Sequence, residues 1–374
     1  MIINGNEPTA IILIILTLSI AIDLIFGELP TRFHPVVFIG KTIEFFSKQL
    51  INIKSRVAGL VLTTLVSITS LAIFGLILFL ASYNIFLFVV IATIIFSSTF
   101  SIKMLLSSAK QIKKDLETGL DIARKSMSYL VSRDTSELSE ELIISATIET
   151  LSENITDSAI APIFYYILTN IIIITILGCL VAFNLLASNI ATFSNTVTIS
   201  IAYISISIPS PIFITIIAIL VAILYRVINT LDAMVGYKNE KYINIGYFPA
   251  KVDDILNYIP ARFGGIAVVL ASKFYKRSGM DWKNSYKIMK RDARKPPSPN
   301  SGFTMAAVAG ALNISLVKEG VYIIGDNRSD SDNNTKLKRE DIEKSVKLSK
   351  SVISLAIIFL ILIFLTFSII MLFL

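Results

Sequence analysis

The stretch "ETLSENITDSAIAPIFYYILTNIIIITILGCL", residues 149–180, sets three carboxylates at positions 149, 153 and 157 against a long apolar run. Residues four apart share one face of a helix, so Glu149, Glu153 and Asp157 form a negative stripe that runs into hydrocarbon-like sequence. Like charges at this spacing repel unless a metal, a basic neighbour or water answers them. At 1.5 Å per residue, Glu149 and Asp157 are about 12 Å apart along the axis, too far for all three acids to grip one ion from this helix alone. An adjacent pair can do so if other segments complete the shell. The competing reading makes Asp157 the cap of the next helix and leaves the glutamates in water.

The apolar run is one of six. Stretches 9–27, 58–81, 84–102, 159–182, 201–225 and 351–374 approach the length of roughly 20 apolar residues that crosses a bilayer. Of the 374 residues 54% are hydrophobic and 16% charged, with mean hydropathy +0.73; soluble domains carry roughly 25% charged residues. The fold class that follows is all-α: a polytopic integral membrane protein of about six transmembrane helices plus cytoplasmic re-entrant or amphipathic helices. The whole of 1–374 reads as a single membrane domain. Only "SYN" (82–84) joins the second and third spans, a tight hairpin. The first span has no basic segment before it, so it reads as a span rather than a cleavable signal. The single cysteine, Cys179, lies in an apolar run as packing, which excludes a disulfide framework. With one histidine, His34, a zinc site rich in His and Cys is excluded as well.

Segment 28–57 holds five Lys and Arg residues, 103–158 seven and 226–350 twenty-two, which accounts for all 34 in the chain. With six spans these segments fall on one side, and the positive-inside rule makes that side cytoplasmic. The protein is therefore expected as a multi-pass component of the cell membrane with its active face in the cytoplasm. The net charge of +7 belongs to that face and suits anionic lipid and anionic substrates. Nucleic acid is not an expected partner, because the basic residues alternate with acids and no recognition module occurs.

The candidate chemistry lies in these segments. In 28–57, Gly27, Pro30 and Pro35 force a turn around His34, and Asp23 sits about one helical turn inside the first span, where an acid suggests function or a reach to interfacial water. Segment 103–158 reads as a long amphipathic helical pair ending in the acid stripe. In 226–350, Asn229, Asp232, Asp253 and Asp254 supply the hard oxygen donors that magnesium takes, usually one or two carboxylates plus substrate phosphates. Arg226, Lys238, Lys251 and Arg262 interleave with them, as suits a phosphorylated substrate or a network of structural salt bridges. Three prolines in 296–299 forbid helix, and Asn300, Ser301 and Gly302 read as the start of a small-residue helix over 303–317. Its N-terminus is an expected anion site involving Ser298 and Asn300, reinforced by Arg291, Arg294 and Lys295. Ala306, Ala307, Ala309, Gly310 and Ala311 allow close packing, and 255–272 reads as re-entrant or interfacial. Stretch 325–345 is polar and reads as a mobile loop. No Walker lysine motif, dinucleotide fingerprint or nucleophile elbow occurs.

Taken together, "DLIFGELP" (23–30), "HPVVFIG" (34–40), "ETLSENITDSAIAPIFYY" (149–166), "NTLDAMVGYKNEKYINIGYFPAKVDDILNYIPAR" (229–262) and "SPNSGFTMAAVAGAL" (298–312) resemble the adenosylcobinamide-phosphate synthase family of cobalamin biosynthesis. The resemblance implies an integral membrane enzyme that joins the propionate carboxylate of adenosylcobyric acid to aminopropanol or its phosphate as an amide, with ATP and magnesium as the driver. The residue reading accommodates this, with Glu149, Glu153, Asn154, Asp232 and His34 as the candidate catalytic groups and Glu153, Asp157, Asp232, Asp253 and Asp254 as the candidate metal ligands. Substrate and phosphate would be held by Arg226, Asn229, Lys251, Arg262, Arg294, Ser298 and Asn300. The implied partners are the corrinoid, the amino alcohol, the lipid bilayer and other corrinoid-pathway enzymes at the membrane. Two departures stand out: Pro296 occupies the place of a usual histidine, and Lys251 that of a common arginine. A magnesium-dependent membrane prenyltransferase and a membrane transporter are the competing readings; the second expects internal repeats and broken helices with polar residues at mid-membrane, whereas no convincing repeat occurs and the central parts of most spans lack charge.

The one-sided distribution of charge yields a direct expectation. Cysteines placed at 190 and at 335 should be labelled by an impermeant reagent from opposite sides of the membrane. Labelling of both from one side would contradict this topology.

Overall fold

The computed structural model describes residues 6–32, 34–187, 196–201, 204–276, 279–326 and 337–373. Residues 188–195, 327–336 of the expected mobile loop 325–345, and the side chain of Cys179 lie outside what is described. The helices are α1 (Asn6–Phe26), α2 (Pro35–Leu50), α3 (Arg56–Ala81), α4 (Ile85–Ser97), α5 (Ile102–Thr118), α6 (Leu120–Ser128) and α7 (Glu140–Ile155). A π-helical turn (Thr156–Ile160) then leads into α8 (Ala161–Ala187). After the hairpin β1 (Thr196–Ile201)–β2 (Ile204–Pro209) come α9 (Ser210–Val235), α10 (Tyr247–Leu256), α11 (Tyr258–Phe274), α12 (Trp282–Asp292) and α13 (Ser301–Leu312). A second hairpin, β3 (Leu316–Lys318) with β4 (Tyr322–Ile324), precedes α14 (Arg339–Phe373). Among the described residues six helical stretches are long and apolar enough to cross a membrane: Thr9–Phe26, Arg56–Ala81, Ile85–Thr118, Glu140–Leu177, Pro211–Val235 and Arg339–Met371. The all-α, multi-pass architecture is the observed one.

Several boundaries move, each for a local reason. The span read over 84–102 ends at Ser97, because the hydroxyls of Ser97, Ser98 and Thr99 bond back to the carbonyls of Ile94, Ile95 and Phe96 at 2.9, 2.6 and 2.7 Å and compete with the helix. Segment 103–158 forms three helices instead of a pair, with a break at Gly119 and an irregular stretch before α7. The span placed at 201–225 is a strand up to Pro209 and a helix from Ser210. Helix 303–317 is α13, Ser301–Leu312, stopped by Asn313 in the left-handed region (φ 52°). Stretch 325–345 is helical from Arg339 onward. The apolar stretch at 255–272 is α11, which together with α10 makes a pair bent by 47°, the form of a broken span or re-entrant loop.

The chain packs as two compact units that interleave along the sequence. The first comprises Met1–Phe100, Pro162–Asp253 and Phe359–Leu374. In it α9 packs against α1, α2, α3 and α4. Phe96 stacks on Tyr166 with centroids 4.2 Å apart, and the Tyr166 hydroxyl donates to the Ile12 carbonyl at 3.1 Å. The Ser19 hydroxyl donates to the Thr93 carbonyl at 3.0 Å and ties α1 to α4. Such bonds hold apolar helices together where burial from water is not available as a driving force.

The second unit comprises Ser101–Ala161 and Asp254–Ile358, with α13 at its centre. From Thr304 to Leu312 every residue of α13 is buried. Its small side chains let α11, α12 and α7 approach on several faces, as the sequence led us to expect. The Ser285 hydroxyl of α12 donates to the Ala307 carbonyl at 2.8 Å, and the Asn284 amide donates to Gly310 O at 3.1 Å and Asn313 Oδ1 at 2.8 Å. A methyl group at Gly310 would lie 2.6 Å from the Asn284 carbonyl oxygen and 2.8 Å from Ser285 Cα. Since both are backbone atoms, Gly310→Ala must push α12 and α13 apart. We expect a loss of about 1–3 kcal/mol, read as a lower thermal midpoint of the full chain in detergent; an unchanged midpoint would show that the contact is slack.

Candidate functional site

In the first unit, α9 carries Arg226, Asn229 and Asp232 three residues apart, on one side of the helix. Arg226 Nη1 donates to Asn229 Oδ1 at 3.3 Å, and Asn229 Nδ2 donates to Asp253 Oδ1 at 3.4 Å. Asp253 is buried, Asp232 half-buried, and Lys251 exposed on α10. Asp23 is buried within α1. His34 is the N-cap of α2: its Nδ1 accepts from the Val36 amide at 3.2 Å. Burial holds the imidazole below its usual pKa; Glu28 pulls it up and Arg226 pushes it down. The structure thus gives His34 a structural task and groups Arg226, Asn229 and Asp253.

In the second unit, the question raised by the acid stripe has a specific answer. Glu149 is buried at 4% exposure. It accepts from the Ser145 hydroxyl at 2.8 Å, the Tyr322 hydroxyl at 2.9 Å and the Arg133 guanidinium at 3.5 Å. Burial, and then the Glu149 charge, push the Tyr322 hydroxyl well above the usual phenol range, so it stays protonated as a donor. Asn154 turns back to donate to the Thr150 carbonyl at 2.9 Å. Asp157 does not cap a new helix, because the chain stays helical through the π-turn in which it lies. That wider turn interrupts the 3.6-residue period where the third acid falls. Glu153 and Asp157 are half-buried.

Residues 293–300 form an irregular turn that α13 follows. The Ser298 hydroxyl accepts from the Asn300 and Ser301 amides at 3.3 and 3.5 Å, and Ala293 O and Pro296 Cδ crowd the place where a Cβ on Gly302 would sit. Two of the amides expected to hold an anion are therefore already engaged. Asn300 is buried, donates to the Asp254 carbonyl at 2.7 Å and accepts from Arg262 Nη1 at 3.3 Å.

Of the three cations expected to reinforce that anion site, two belong instead to Asp292, which is fully buried. Arg291 grips both its oxygens at 2.8 Å, Lys295 reaches it at 2.9 Å, and the Gly325 amide donates to it at 2.8 Å. Arg291 also pairs with Asp326 at 2.6 Å. Arg294 is exposed and makes no such bond among the described residues. Among the described residues no three His, Cys, Asp or Glu side chains converge as a metal-holding group. The oxygen donors present fit the sparser demand of magnesium for one or two carboxylates completed by phosphate and water.

A family model described as CobD/Cbib protein matches residues 16–193 and 204–349. This chain belongs to the CobD/Cbib family. A protein of Methanothermobacter thermautotrophicus named probable cobalamin biosynthesis protein CobD is 42% identical over 336 residues, covering 90% of this chain and 92% of that one. Its counterpart in Methanocaldococcus jannaschii is 35% identical over 356 residues, 93% and 96% of the two chains. A Leptospira interrogans protein named cobalamin biosynthesis protein CobD is 35% identical over 311 residues, 82% of each. No solved structure matches the chain.

In this CobD/Cbib chain the sequence reading missed the partners of Glu149 and one acid, Asp292. Arg133 and Tyr322 are 16 and 173 residues from Glu149, and no local spacing signals either. Asp292 was overshadowed by the basic residues beside it. It offers a clean test. Burial raises its pKa, but the Arg291, Gly325 and Lys295 contacts outweigh burial and hold it at about 2 against an ordinary 3.8. The difference corresponds to about 2 kcal/mol of stability. That contribution is fully present above pH 4 or so and is lost as pH falls toward 2. Wild type should therefore unfold at a higher temperature than Asp292→Asn at pH 7, with the gap closing as pH drops below about 4. A gap that is constant with pH would contradict the assignment.

Proposed function

We propose that this chain acts in cobalamin biosynthesis as an amide-forming membrane enzyme, joining the propionate carboxylate of adenosylcobyric acid to aminopropanol or its phosphate at the cytoplasmic face. Family membership is the observation that carries this reading, and it favours it over the prenyltransferase and transporter readings. A free carboxylate is a poor acyl donor, and magnesium ATP, when bound, supplies the group that turns one of its oxygens into a leaving group.

The chain's residues take roles that their surroundings support. Asn229, Asp232 and Asp253 offer hard oxygen donors on α9 and α10, and Asp254 follows directly in sequence. Arg226, Lys251 and Arg294 provide positive charge for phosphate oxygens. Glu153, half-buried and one turn beyond Glu149, is the base we assign to the ammonium proton, with Asp157 as a second oxygen donor. Glu149, already held by Ser145, Tyr322 and Arg133, positions α7 and the β3–β4 hairpin instead of meeting substrate. Ser298 and Asn300 shape the turn before α13.

Glu153→Gln and Asp232→Asn preserve size and remove charge. Both variants should fold with a thermal midpoint near wild type while the rate of amide formation falls at least 100-fold, the scale on which one transition-state contact acts. Excess magnesium should partly restore Asp232→Asn. Near-normal turnover in both variants would remove these carboxylates from the chemistry.

A further inference from the structure

Arg262 sits on α11, its guanidinium carbon 3.3 Å from the centroid of the Tyr258 ring and 4.3 Å from that of Phe303. One of its three nitrogens is fully engaged: Nη1 donates to the Tyr258 carbonyl at 2.6 Å and to Asn300 Oδ1 at 3.3 Å. Asn300 is anchored in turn, because its own amide donates to the Asp254 carbonyl at 2.7 Å. Among the described residues neither Nε nor Nη2 has a hydrogen-bond partner. These two nitrogens lie on the same edge of the guanidinium and point their N–H groups in parallel. That edge is the one that meets a carboxylate or a phosphate with two bonds at once.

We propose that Arg262 is a preformed receptor for one oxyanion of the substrates, gripping it through the parallel Nε–H and Nη2–H bonds. The proposal rests on the amide-forming reading for the identity of the substrates, but not for the receptor itself. A flexible arginine loses rotamer freedom when it binds, and here two aromatic rings and two acceptors fix the side chain beforehand. A purely structural role would leave the charge-bearing fork without an acceptor while its single Nη1 makes both hydrogen bonds. Two substrate groups share the required chemistry: the propionate carboxylate of the corrinoid, and the phosphate of the phosphorylated amino alcohol.

The test is Arg262→Lys in the full chain, which keeps the charge and loses the fork. We expect a Michaelis constant at least tenfold higher for one oxyanion-bearing substrate, with the thermal midpoint and the other constants little changed. If the carboxylate is the ligand, the corrinoid constant rises with either amino alcohol. If the phosphate is the ligand, only the phosphorylated amino alcohol is affected. Phe303→Leu, which removes one ring and keeps Arg262, should move the same constant by a smaller factor. A lowered thermal midpoint with every constant within twofold would make Arg262 structural and overturn the proposal. A second measurement separates this outcome from a failure of the functional reading. Phenylglyoxal modification of Arg262, followed by peptide mass spectrometry, should be slowed by inorganic phosphate or by acetate even if wild type forms no amide. Absence of protection by both would overturn the receptor.

Discussion

Hydrocarbon tolerates neither an unpaired backbone polar group nor an unanswered charge, and this chain is arranged around that constraint. The six stretches able to cross a membrane among the described residues are helical, so their backbone bonds close internally. Some of the polar side chains among them are tied to a neighbouring helix, as Ser19 is to Thr93 and Tyr166 to Ile12, and others bond back to their own helix, as Thr63 does to Gly59 and Thr215 to Pro211. All Lys and Arg residues collect in three segments between apolar stretches. The chemistry of the protein can be sought only where those segments gather acids and bases.

Within the second unit burial inside the protein makes a like demand, and the buried charges there are matched by their own neighbours. The β3–β4 hairpin is fastened twice. The Val317 amide donates to the Ser145 hydroxyl at 2.8 Å and Tyr322 reaches Glu149, while the Gly325 amide reaches Asp292 and Lys295 donates to the Ile323 carbonyl at 2.9 Å. Two buried carboxylates on different helices thus hold one short hairpin. Breaking a buried pair on one side leaves a charge without compensation and is strongly destabilising, so these residues read as framework. Glu153, Asp157 and Arg262 are half-buried in the same unit.

Much of the fold was legible in the sequence, because span length and hydropathy are set by bilayer thickness and leave little freedom. The errors came where a side chain competes with the backbone, as at Ser97–Thr99, or where one residue adopts a special conformation, as at Asn313. The interleaving of the two units was not legible, since it depends on which apolar faces meet. At the candidate site, residue type announced the acids and the arginines. What it could not announce was whether each charge is already matched: Arg291 and Lys295 looked like anion ligands and serve Asp292. The Tyr258–Arg262 pair was within reach as an i, i+4 neighbour on one helix face, whereas Phe303, on a different helix, was not.

The reaction proposed for this chain is activation of a carboxylate for attack by an amine. It is tested most directly by isotope transfer. Purified protein supplied with adenosylcobyric acid carrying ¹⁸O in the reactive carboxylate, the amino alcohol phosphate and magnesium ATP should form the amide. One ¹⁸O atom per turnover should appear in the released phosphate or nucleoside monophosphate. Amide formation without label in either product, or ATP turnover that is indifferent to the corrinoid acid, would contradict it.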